Sequence, residues 1–152
     1  MNRIEQAVAC FAEGFSCSQA VFSTYAPQFG LDRETALNVA GPFGGGMGGM
    51  GGTCGAVTGA FMVIGLKHGR TSAEDVETKE QSYRLVREFA SEFESRHGSI
   101  LCKELLGCAI DTPEKSDRAK ERGLFTTICP SFVQDAAEII EKCLALGGKE
   151  KC

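Results

Sequence analysis

Thr53-Cys54-Gly55-Ala56-Val57-Thr58-Gly59-Ala60-Phe61-Met62-Val63-Ile64-Gly65-Leu66-Lys67-His68-Gly69 is the stretch on which the fold turns. Thr53 is a natural helix cap and Gly69 a natural stop. Between them the residues are apolar nearly all round, as in a helix buried on every side. Gly55 and Gly59 stand four apart and share one face, leaving a smooth strip on which another helix, or a cofactor, can sit against the backbone.

The preceding segment, Gly41-Pro-Phe-Gly-Gly-Gly-Met-Gly-Gly-Met-Gly-Gly52, cannot be regular structure. Glycine loses the most freedom on folding, so ordering this run is expensive. It carries Phe43, Met47 and Met50 rather than serine or charge. It therefore reads as a loop packed against something that its backbone must approach closely.

The rest of the chain is helical, and no period-2 pattern argues for a strand. Asn2 caps a helix carrying Ile4, Ala7, Val8 and Phe11, which Gly14 ends. Ser16-Cys17-Ser18-Gln19 fits the capping box and opens a second helix that stops before Pro27. Asp32 caps a short helix reaching Ala40. Ser72-Ala-Glu-Asp75 opens a long amphipathic helix that turns Val76, Tyr83, Val86, Phe89, Ala90 and Phe93 to the core. Ser99 caps a short helix containing Cys102, Thr112-Pro113 starts an exposed one, and Cys129-Pro130 opens the last. The expectation is an all-α single domain over residues 1–152, of about seven helices around the buried helix 54–68, with a disordered tail over 147–152.

Composition narrows the function. A formal net charge of −4 supplies no basic footprint for nucleic acid, and no apolar run is long enough for membrane insertion. No signal peptide is visible, so the expected localisation is cytoplasmic. In a reducing compartment, 8 cysteines suit metal, redox or catalytic work better than a disulfide framework.

Those cysteines sort by position. Cys17 and Cys54 each follow an expected cap, Cys102 lies in the first turn after Ser99, and Cys129 precedes Pro130. A helix N-terminus offers unpaired N–H donors and partial positive charge. Both favour the thiolate, which is at once nucleophile and metal ligand. The same environment suits an anionic iron–sulfur core. Packing alone also puts cysteines at helix starts, so chemistry and packing both stay open here. Cys10 and Cys143 fall inside helices as small hydrophobes, Cys108 is a spare ligand in a loop, and Cys152 is terminal. No C-x-x-C exists, which removes the usual thioredoxin and zinc-ribbon signatures. The G-x-G-x-x-G inside the glycine run follows no strand and carries no nucleotide reading. His68 and His97 end helices, where the dipole tolerates them.

Cys17 … Cys54-Gly55-Ala56-Val57-Thr58-Gly59 … Cys102 … Cys129, with Gly14-Phe-Ser-Cys17-Ser-Gln-Ala-Val21 and Cys102-Lys-Glu-Leu-Leu-Gly107, resembles the redox-active proteins named for a C_GCAxxG_C_C signature. That family is similar to the iron–sulfur part of split-Soret cytochromes. The resemblance implies that Cys17, Cys54, Cys102 and Cys129 are cluster ligands or redox-active cysteines. It also implies electron transfer or redox sensing with a partner redox protein. The chain has no C-x-x-C-H, so covalent haem is not expected. On this reading the glycines at 48, 49, 51, 52, 55 and 59 let the backbone approach the cluster. Two rivals stand beside it: a metal-free thiol/disulfide enzyme or sulfur carrier using the same residues, and a helical adaptor around structural zinc. A homodimer through the apolar, glycine-faced helix is a further expectation.

Overall fold

The computed structural model describes residues 1–145; the tail expected to be disordered lies outside them. Among the described residues the chain is helical, with no strand beyond one isolated antiparallel bridge, Thr53 to Leu101. Helices α1 (Arg3–Ala12), α2 (Cys17–Tyr25) and α3 (Arg33–Ala40) come first, followed by the glycine loop and α4 (Gly55–His68). Then come α5 (Val76–His97), α6 (Cys102–Leu106), α7 (Pro113–Glu121), α8 (Leu124–Thr127) and α9 (Cys129–Ala145). Short 3-10 turns at Ala26–Phe29 and Gly41–Phe43 and the four-residue α8 are additions to the expected set. None is long enough to show a period.

The caps explain most of the boundaries. Asn2 and Ser16 both close full capping boxes, with Glu5 and Gln19 reaching back to the cap N–H groups. Asp32 accepts from Thr35 N at 2.9 Å and Thr112 from Lys115 N at 3.3 Å. The long helix starts one turn later than the Ser72 reading suggests. Asp75 caps it by accepting from Thr78 N at 3.0 Å, while the Ser72 hydroxyl donates to Glu74 instead.

Helix α4 is central. It packs against α2 on one side and against α5 and α9 on others, and Ala56, Val57, Ala60 and Val63 are fully sealed. The glycine strip takes the helix of the two occupants that suited it. A Cβ on Gly59 would stand 2.9 Å from Ser18 O and 3.1 Å from Val21 Cβ, so α2 lies directly on the α4 backbone. On α5 the core face is Leu85, Phe89 and Phe93. Val76 and Tyr83, expected inward, are 58% and 51% exposed. The helix begins at Val76, so its first turn projects beyond the core, and Leu85 rather than Tyr83 completes the stripe with Phe89. Phe89 meets Phe61 of α4 edge-on at 5.9 Å, and Phe93 meets Phe132 of α9 at 6.1 Å. Truncating either buried ring would cost about 3–5 kcal/mol. Among the described residues no helix is long and apolar enough to cross a membrane.

Candidate functional site

Four helix starts converge. Cys17 is the first residue of α2, directly behind Ser16. Two bonds fix α2 against α3: Ser18 Oγ donates to Ala40 O at 2.8 Å, and Gln19 Nε2 to Leu37 O at 3.0 Å. Cys129 is the first residue of α9. The proline after it gives up no bond there, because first-turn N–H groups have no partner within the helix.

The other two starts differ from expectation in one respect each. Cys54 is itself the cap residue of α4, not the first residue after a Thr53 cap. Thr53 is drawn out of that role by its bridge to Leu101, and Cys54 N–H donates to Ile100 O at 2.7 Å. Cys102 opens α6 behind Leu101, not behind Ser99. Ser99 steadies the turn from outside, accepting from Leu101 N at 2.9 Å and donating to Glu104 at 2.6 Å. Across the bridge, Cys102 N–H donates to Gly52 O at 2.6 Å and Lys103 N–H to Gly51 O at 3.2 Å. These bonds clamp the end of the glycine loop to the start of α6. They bring Cys54 and Cys102 together although the two are far apart in the chain.

Cys17, Cys54, Cys102 and Cys129 all line one cavity of about 640 Å³. Gly45, Gly46 and Gly55 line it with them. Gly46 shows why the loop must be glycine: at φ +68° a Cβ there would lie 2.7 Å from Cys102 Cβ and 2.6 Å from Gly52 N. A Cβ on Gly55 would lie 2.9 Å from Ser18 N and 3.2 Å from Cys17 Cβ. Gly51 and Gly52 hold the Cys102 turn through their carbonyls. Gly48 and Gly49 are not in the cavity wall, and nothing stands within 4 Å of a Cβ on Gly49. Density hides register: where nearly every residue is glycine, sequence alone cannot say which of them faces the cysteines.

The thiols are not equivalent. A hydrogen bond from Cys17, with the N–H groups of Ala56 and Val57, pulls the Cys54 pKa below the usual thiol value despite burial. Cys17 moves the other way: its hydrogen bonding to Cys129 and Cys54, and burial, hold its proton well above the usual range. Burial pushes Cys102 up to about 12, helped by the negative potential of Cys54, Cys129 and Cys108. The centre thus combines one site biased to thiolate with two biased to thiol.

The remaining cysteines sit apart or at the edge. Cys108 is half-buried and near enough to act on Cys102. Cys10 is buried in α1 with its sulfur 3.8 Å from Ser23 Oγ, as expected of a packing residue. Cys143 is buried on α9 and disulfide-bonded, so it is not the simple buried thiol of the sequence reading. Cys152 lies outside the described residues. His68 and His97 are not in the cavity wall; His97 packs between Phe93 and Phe132 with Nε2 2.7 Å from Asp135. Among the described residues, no three His, Cys, Asp or Glu side chains are drawn together closely enough to hold a single metal ion.

Residues 15–143 match the model of a family described as "Putative redox-active protein (C_GCAxxG_C_C)". The match spans most of the chain, all four cavity cysteines included, and the chain belongs to this family. Comparison with curated proteins and with solved structures gives no match.

Proposed function

We propose that this redox-active, cysteine-rich protein holds an iron–sulfur cluster on Cys17, Cys54, Cys102 and Cys129 and passes electrons to, or senses the state of, a partner redox protein. One observation carries the reading: four cysteines from four separate helix starts line a single cavity. An anionic centre is favoured where helix N-termini meet, since each presents unpaired N–H groups and partial positive charge. The donor chemistry fits as well, because thiolates are the usual ligands of such clusters. Gly45, Gly46 and Gly55 line the cavity with backbone, which lies close to what the cysteines hold.

When bound, such a cluster supplies one-electron exchange at a potential set by hydrogen bonds and burial. The chain's own residues supply the rest. Cys54, held below the usual thiol value, gives up its proton most readily; Cys17 and Cys102 release protons as they become ligands, so loading is favoured by rising pH. Phe11, Phe15, Phe125 and Phe132 line the cavity and limit water around the sulfurs. Anaerobic purification with iron, acid-labile sulfide and visible-absorption measurements tests the reading. Bound iron and sulfide with a broad visible band are expected; a colourless, iron-free protein after cluster reconstitution would overturn it.

The contact between Cys17 and Cys54 supports a second reading, a dithiol/disulfide couple. The Cys54 thiolate would attack a partner disulfide, releasing one partner thiolate and forming a mixed disulfide. Cys17, after losing its proton, would displace the second partner thiolate and leave a Cys17–Cys54 disulfide. The partner gains the two electrons that the two cysteines lose. Thiol titration before and after mild oxidation separates the readings: this one expects two thiols to disappear reversibly in iron-free protein.

A further inference from the structure

We infer that the cavity lined by the cysteines also binds a small aromatic anion, in the part of its volume away from the four sulfurs. The binding rests on the cavity alone and holds with or without a redox group on the four cysteines. A volume of about 640 Å³ falls within the ~300–1,000 Å³ range of sites that enclose whole organic ligands. The four cysteines and their glycines form only part of the wall. The rest comes from α1, the turn after it, α6, α7, α8 and α9.

The chemistry of that wall is specific. Phe11, Phe15, Phe125 and Leu105 line it while remaining only half-buried, and Phe132 lies beneath them in the core. Rings left partly open around a concave surface are completed by an apolar, flat body, which can stack on them or meet them edge-on. Arg33 already lies over the Phe15 ring, 5.5 Å from its centroid. Among the described residues the cavity wall contains no Asp or Glu. Lys120 is its single charged residue, exposed on α7 and in no ion pair among the described residues. An aromatic body bearing one carboxylate or sulfonate satisfies both features: the rings take the body, and the ammonium takes the anionic group.

Titration calorimetry of the reduced, iron-free full-length chain with 2-naphthoate, and with neutral 2-naphthamide as control, tests this. The carboxylate should bind, and more tightly than the amide by roughly threefold or more, the size expected of a partly exposed ion pair. Lys120→Gln should remove that preference while leaving amide affinity unchanged, and Phe125→Leu should weaken both ligands. Lys120 is exposed, so Lys120→Gln should keep its helical circular dichroism. Absence of binding at millimolar ligand, or equal affinity of acid and amide in the wild-type chain, would overturn the inference. The two readings fail separately. Iron loading without naphthoate binding would leave the redox centre standing; naphthoate binding to a chain with neither iron nor a reversible disulfide would leave only the cavity.

Discussion

Gly46→Ala isolates how the glycine loop seats a cysteine. At φ +68° an alanine pays roughly 1–2 kcal/mol for left-handed backbone. Its Cβ would also stand 2.6 Å from Gly52 N, 2.7 Å from Gly52 O and 2.7 Å from Cys102 Cβ. Two of these neighbours are backbone atoms, which cannot rotate away, so a further ~1–3 kcal/mol of overpacking is added. The natural relief is to move Gly52 outward, and Gly52 O accepts the 2.6 Å bond from Cys102 N–H. Gly49→Ala is the matched control: φ is +81° but nothing stands within 4 Å of the new Cβ. It carries the strain without the overlap. For a chain of this size about 1 kcal/mol moves Tm by ~2–4 °C. Gly46→Ala should therefore lower Tm by ~4–20 °C, and Gly49→Ala by no more than ~8 °C. Thermal melts of the reduced, iron-free protein read the difference. Alkylation of Cys102, followed by peptide mass mapping, should speed up in Gly46→Ala alone. Equal Tm losses in the two variants, with Cys102 reactivity unchanged in both, would refute the argument that Gly46 is glycine in order to admit the Cys102 turn.

Other outcomes follow from the same geometry. Cys54 should be alkylated at lower pH than Cys102, because a lowered pKa supplies thiolate earlier and a pKa near 12 withholds it; the reverse order in a pH series would contradict the assigned electrostatics. Cys17→Ala should move the Cys54 alkylation profile to higher pH, since the Cys17 hydrogen bond is the largest contribution lowering it. Gly59→Ala should destabilise the fold by ~1–3 kcal/mol in urea unfolding, as its Cβ meets Ser18 O at 2.9 Å across the α2–α4 contact. Ser16→Ala removes the acceptor for Gln19 N and should cost ~1 kcal/mol while leaving the α4 glycine contacts in place.

Much of the fold was legible because its signals are local. Asn2, Ser16, Asp32 and Thr112 cap the helices they were expected to cap, and each does so with its own side chain. What failed depended on distant partners. Thr53 has the chemistry of a cap, yet a bridge to Leu101 overrides it, and nothing near Thr53 in sequence announces that pairing. Val76 and Tyr83 have the right residue types for a core face, but Val76 is the first residue of α5 and Tyr83 lies off the Leu85, Phe89 and Phe93 stripe. The four cavity cysteines could be grouped from sequence because helix starts are readable one at a time. That they share a cavity could not, since four independent packing angles decide it. Lys120, Phe15 and Phe125 gave no signal, for an exposed lysine and scattered phenylalanines are ordinary until a cavity collects them.

In the proposed redox centre Cys17, Cys54, Cys102 and Cys129, and not the other cysteines, hold the redox group. Iron and acid-labile sulfide content, measured anaerobically after identical reconstitution, tests it in Cys17→Ser, Cys54→Ser, Cys102→Ser, Cys129→Ser and Cys10→Ser. Cys10 is buried but lies outside the cavity wall, so Cys10→Ser should load like the wild-type chain while each of the other four loses most of its iron. Full loading in any of the four, or equal loss in Cys10→Ser, would contradict the account.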